Sequence, residues 1–139
     1  MAGFSNTVDG ALLDEIFGGQ NYIPPVTLYF ALLTTAPPDL KAGTGGVEAS
    51  YTGYARVAVT NNLTNFPAAS GSPRAKTNAI DIVFALPSTT GGTIVALGVY
   101  DSAAAGNYLA GNTLIASKPI ASGDPIKLPA GSLALTQGG

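Results

Sequence analysis

Acid–base, nucleophilic and metal chemistry draw on a short set of side chains, and this chain holds few of them. Its carboxylates are Asp9, Asp14, Glu15, Asp39, Glu48, Asp81, Asp101 and Asp124, and it has neither His nor Cys. General acid–base work needs carboxylates paired in a pocket. Asp14 and Glu15 are sequence neighbours, which on a helix do not face one another. Asp101 and Asp124 stand beside Ser102 and Gly123, where Asp commonly holds a turn through hydrogen bonds to nearby backbone. Asp81 interrupts an apolar run and reads as the exposed face of a strand in preference to a buried partner of a cation such as Arg56, because buried charges are uncommon even when paired. Without imidazole or thiolate the usual triads and dyads have no base or nucleophile, and Ser117-Lys118 is adjacent rather than helically spaced. No catalytic, metal-ligating or cofactor-binding residue is assigned, so the expectation is a protein that is not an enzyme and uses no cofactor.

Binding chemistry is the alternative. Gly43-Thr44-Gly45-Gly46 lacks the Lys-Ser or Lys-Thr of a phosphate loop and reads as a flexible connection. The cations Lys41, Arg56, Arg74, Lys76, Lys118 and Lys127 are scattered in a chain of net charge −2, which argues against nucleic acid, since phosphate binding needs clustered Lys and Arg. Tyr22, Tyr29, Tyr51, Tyr54, Tyr100 and Tyr108 offer amphipathic rings suited either to stacking on sugars or to anchoring a protein interface. Tyr51 and Tyr54 are the candidates for that second use.

Only 14 of 139 residues are charged, well under the roughly one quarter of an ordinary soluble chain. Much of the surface must then be neutral, and neutral surfaces repel neighbouring copies weakly. The length fits one domain. No secretory signal is read in residues 1–10, which carry Asp9 and no positive charge. The uncharged stretch 82–100 is split by Pro87-Ser88-Thr89-Thr90-Gly91-Gly92 into two strand-length halves, too short to span a membrane as a helix. No membrane partner is expected.

Ser5-Asn6-Thr7 supplies capping oxygens, Val8, Leu12, Leu13, Ile16 and Phe17 recur at helical spacing, and Gly18-Gly19 follows. This predicts one short amphipathic helix over residues 8–17, within a separate N-terminal arm of residues 1–20. Residues 26–34 form a near-continuous apolar and β-branched run, as in a central strand covered on both faces. Residues 36–50, with Pro37-Pro38 and several Gly, read as a long exposed loop. Ala55, Val57 and Val59 alternate with Tyr54, Arg56, Ala58 and Thr60, the pattern of a half-buried strand. Ile80, Ile82 and Phe84 alternate likewise, and residues 93–100 follow across Gly91-Gly92, which predicts an antiparallel hairpin. Further strands are read at 108–110, 113–117, 125–128 and 132–136. Short strands punctuated by Gly and Pro indicate a mainly β fold, here a single antiparallel β-sandwich or barrel-like domain of about seven or eight strands over residues 21–139.

Leu32-Leu33-Thr34-Thr35-Ala36-Pro37, Gly53-Tyr54-Ala55-Arg56-Val57-Ala58-Val59 and Leu97-Gly98-Val99-Tyr100-Asp101 carry a resemblance that covers most of the chain after residue 20. The sequence resembles a family of small tailed-bacteriophage virion proteins, variously labelled tail fibre proteins and capsid decoration (cement) proteins. It departs from their common pattern at Gln137-Gly138-Gly139, where relatives continue into a longer terminal strand. The resemblance implies a virion structural part without fixing head or tail. Shaft repeats and heptads are absent from the sequence, whereas a neutral surface, an arm and long loops suit decoration. The expectation is therefore a capsid decoration protein on the capsid exterior, passing through host cytoplasm during assembly. Its expected partners are the major capsid protein and itself, as a homotrimer. The helix residues Val8, Leu12, Leu13, Ile16 and Phe17, with Tyr51 and Tyr54, are its candidate protein interface. The alternative is a tail fibre or tail-tip component that binds host-surface glycans.

Overall fold

The computed structural model describes residues 3–136; the Gln137-Gly138-Gly139 ending lies outside the described residues. The elements run α1 (Asn6–Gly18), β1 (Thr27–Thr35), β2 (Val47–Glu48), β3 (Val57–Thr60), β4 (Ala75–Thr77), β5 (Ile82–Val83), β6 (Thr93–Tyr100), β7 (Tyr108–Pro119), β8 (Lys127–Leu128) and β9 (Ala134–Thr136). The fold is mainly β, with one N-terminal helix.

β1 is the centre of a five-stranded antiparallel sheet. β3 pairs with its first half and β2 with its second along one edge, while β6 lies on the other edge with β7 beyond it. The unbroken apolar run has its cause here, because both faces of β1 are covered. Phe30 and Leu32 enter the main core, and Ala31 and Leu33 pack with Ala96 on the opposite face.

A second layer covers the Phe30 face. It consists of two short ladders, β4 with β9 and β5 with β8. Ile82, Phe84, Ile120 and Ile126 from this side meet Phe30, Leu32, Val59, Ile94 and Val99 of the large sheet. Among the described residues the sheets form an open sandwich and do not close into a barrel.

Four local expectations change. The hairpin between residues 80–84 and 93–100 does not form: β5 pairs with β8, and β6 with β1 and β7. Ile82, Phe84 and Ile94 do share one core, so these segments meet through side chains across the sandwich. Alternation reports a buried face and is silent about the backbone partner.

Residues 108–110 and 113–117 belong to one strand, β7. Gly111 between them is no turn; a Cβ there would collide with Tyr108 Oη and stand 2.7 Å from the Leu97 carbonyl oxygen. The glycine permits close approach of ring and backbone. Further along, Ala96 pairs with Thr113 and Ile94 with Lys118, so Leu114-Ile115-Ala116-Ser117 bulges opposite Val95 alone, with Ile115 fully exposed.

The loop 36–50 is only partly exposed. Pro37 and Ala49 are buried, and Val47–Glu48 returns to pair with β1. Finally, the strand expected from Tyr54 begins only at Val57, and Ala55 faces solvent.

α1 is capped as its sequence dictates. Ser5 Oγ accepts the Val8 N–H at 3.3 Å, and Gly19, at φ 66°, donates its N–H to the Asp14 carbonyl, a left-handed C-terminal stop. Its root is tied to the body: the Ser5 N–H donates to Leu109 O at 2.7 Å, the Asn6 N–H to Lys41 O at 2.9 Å, and Asp9 pairs with Lys41. No helix among the described residues is long and apolar enough to cross a membrane.

Candidate functional site: a clamped turn, a cleft and a helix stripe

The sequence motifs meet at one place, and Arg56 joins them. Its side chain is only 8 % exposed. Nε donates to Glu48 Oε1 at 2.6 Å, Nη1 donates to the carbonyls of Ser102 (2.8 Å) and Ala105 (2.9 Å), and the guanidinium lies 3.8 Å from the centre of the Tyr100 ring. A planar fork of five donors suits this combination of carboxylate, carbonyls and aromatic face, whereas an ammonium group does not. Asp101 completes the clamp, accepting from the Asn107 N–H at 2.7 Å and from Asn107 Nδ2 at 2.8 Å. That is the turn-holding role read for it from sequence. Between these fixings Ala105 adopts φ 51°, a left-handed conformation unfavourable for a side chain with Cβ and held here by its surroundings.

Asp81 and Asp124 also serve structure. Asp81 lies on the surface as expected, accepts the Ala130 N–H at 2.8 Å and pairs with Lys127 at 3.3 Å. These contacts hold its carboxyl below the ordinary value, the backbone hydrogen bond foremost. Asp124 receives Lys118 Nζ at 2.9 Å. Among the described residues no group of three or more His, Cys, Asp or Glu is placed to hold a metal ion.

Tyr51 and Tyr54 lie together in an edge-to-face pair with centroids 5.4 Å apart. Tyr51 is buried and its hydroxyl donates to Ala85 O at 2.7 Å. Tyr54 is half-buried and accepts the Leu32 N–H at 3.1 Å. Leu32 sits where β3 pairing ends at Phe30 and β2 pairing begins at Leu33, so the hydroxyl satisfies a strand amide between two partners. Burial pushes the Tyr54 phenol up to about 12. Both rings brace the sheet and offer no open stacking platform.

The helix residues divide into two sets. Val8 is buried and Leu12 half-buried against the body, while Leu13, Ile16 and Phe17 are 57 %, 66 % and 84 % exposed. Spaced at i, i+3 and i+4, the three exposed residues form one apolar stripe. On the opposite flank of α1, a cleft of about 370 Å³ opens toward the clamped turn, lined by Thr7, Val8, Tyr22, Asp101, Asn107 and Leu109 among others. Burial, and secondarily the Asp101 carboxylate, raises the Tyr22 phenol above its ordinary value. The sequence counted Tyr22 among six tyrosines suited to stacking or to an interface but did not single it out, since only the fold sets it beside Asp101 and Asn107.

The sequence matches the family described as Podophage GP4 fiber I protein gp80 over residues 3–136. The chain belongs to this family. Membership makes it a bacteriophage structural protein of fibre type and a part of the virion. The family description names no reaction, and it supports the tail fibre alternative over the capsid decoration expected from the sequence. A neutral surface and a helical arm suit either station, so composition alone does not choose between them. No curated protein sequence matches the chain with significance.

Proposed function

We propose that this protein is a tail fibre component of a podophage virion that works by binding, not catalysis, and that α1 seats it against a neighbouring virion protein. The fibre description of a family matching residues 3–136 carries the first part. The stripe of Leu13, Ile16 and Phe17 supports the second: three large apolar side chains on one helix stand in water although the root of that helix is well anchored. Apolar surface at helical spacing is the form in which a helix enters a groove on a partner.

The test is phage assembly with a tagged copy. Immunogold should mark the tail, with a handful of copies per particle, and deletion of residues 1–20 or the triple change Leu13→Ser, Ile16→Ser, Phe17→Ser should abolish incorporation. Gold over the head with hundreds of copies would return the protein to capsid decoration. Full incorporation of the triple variant would sink the role of the helix.

A further inference from the structure

We propose that the cleft between α1 and the turn Asp101–Asn107 binds a neutral pyranose unit of a bacterial surface glycan, with Tyr22 as its stacking platform and Asp101 and Asn107 as its hydroxyl partners. The proposal rests on the fibre reading and adds to the expected host-surface glycan a site and a preference for neutral sugars.

A pyranose presents apolar C–H faces and a rim of hydroxyls, so a site for it needs an aromatic surface and fixed polar atoms side by side. The cleft supplies both. Tyr22, Ile23, Pro25 and Leu109 provide apolar and aromatic lining, and Thr7, Asp101 and Asn107 provide hydrogen-bonding groups. Its volume of about 370 Å³ lies in the range of small-molecule sites.

The polar groups are already ordered. Asp101 accepts two hydrogen bonds from Asn107, and a carboxylate with about four lone-pair sites keeps acceptor capacity after two are used. Asn107 keeps its amide oxygen and a second N–H. Arg56 fixes the same turn through Ser102 and Ala105, so binding would not have to order it, the condition under which polar contacts give net affinity. No cation is among the lining residues, so Asp101 stands unneutralised toward a ligand and disfavours sugars that carry a carboxylate or sulfate.

The larger cleft of about 440 Å³ under β7 differs. Phe30, Leu97, Val99, Leu128, Leu133 and Leu135 dominate it, and although Asn112, Thr113 and Ser132 also line it, its one aromatic ring, Phe30, is fully buried and offers no face for stacking. Seating of the helix leaves the sugar cleft open: at 100° per residue, Thr7, Val8 and Ala11 lie roughly 170° around α1 from Leu13, Ile16 and Phe17.

The test applies the purified full-length chain to an array of neutral and acidic bacterial oligosaccharides. Wild type should bind neutral members, Tyr22→Ala should weaken that binding about tenfold, and Tyr22→Phe should retain it. Ala11→Phe, which narrows the cleft from the helix side, should weaken it as well and guards against a folding defect in Tyr22→Ala. The triple Ser variant of the helix stripe should bind as wild type. Absence of neutral-glycan binding, binding confined to acidic members, or equal binding by wild type, Tyr22→Ala and Ala11→Phe would each overturn the proposal. Tail labelling with a blank array removes the sugar site and leaves the fibre reading standing; head labelling removes the fibre reading.

Discussion

The clamped turn and the helix flank one cleft and are stabilised in opposite ways. The turn 101–107 contains almost no apolar bulk, and its shape comes from polar contacts of Arg56, Asp101 and Asn107 made inside the protein. The helix carries large apolar residues and leaves three of them in water, while its hydrogen-bonded and ionic ties to the body lie at its first turn. Groups satisfied within the chain specify a shape. Groups left unsatisfied specify a neighbour.

The sharpest way to break this contrast is Arg56→Ala. It leaves the half-buried Glu48 without its cation, two carbonyls without donors and Tyr100 without its cation, and should cost about 3 kcal/mol of unfolding free energy by urea denaturation. Arg56→Lys should recover less than half of that loss, because one ammonium cannot serve carboxylate, carbonyls and ring together. A loss no larger than that of an ordinary surface substitution would show that the turn holds itself.

On the helix side, Ser5→Ala removes the oxygen that accepts the Val8 N–H and should cost about 1 kcal/mol, seen as a lower thermal midpoint with reduced helical circular dichroism.

Tyr108 tests the rule of internal satisfaction from the other direction. Its buried hydroxyl has no hydrogen-bond partner among the described residues, so Tyr108→Phe should be neutral or raise stability by up to about 1 kcal/mol at neutral pH. Burial pushes this phenol up from 10.0 to about 12. Since the folded value lies above the unfolded one, stability is complete below about pH 10 and falls as pH rises toward 12. The Phe variant should therefore lose less stability than wild type across that window.

The smallest effect belongs to the helix stripe. Changing Leu13, Ile16 and Phe17 to Ser should move the unfolding free energy of the isolated protein by no more than about 0.5 kcal/mol per site, although the same change is expected to abolish incorporation. A large destabilisation would mean that the stripe serves this chain and not a partner.

The amino-acid sequence determined the local features. The helix and its caps followed from Ser5, the spacing of Val8 to Phe17 and Gly19. The doubly covered β1 followed from the run through Phe30-Ala31-Leu32-Leu33, and the turn at Asp101 from its chemistry. Each rests on backbone and side-chain preferences acting over a few residues. The absence of His and Cys likewise removed whole classes of chemistry at sight.

Pairing and convergence were decided only in three dimensions. Alternation showed that Ile82 and Phe84 are buried, but β8 as their ladder partner lies more than forty residues away, a choice made by packing across the sandwich. Gly111 had the sequence signature of a turn, and only the position of the Tyr108 ring made it a contact point. Tyr51 and Tyr54 looked available because aromatic residues suit interfaces, and the fold used their hydroxyls for backbone groups instead. Arg56 lies 46 residues from Ser102 and 49 from Ala105. Their meeting, and with it the cleft beside Tyr22, depends on the β3–β1–β6 register, because long-range geometry is the sum of many contacts and no short stretch of sequence encodes it.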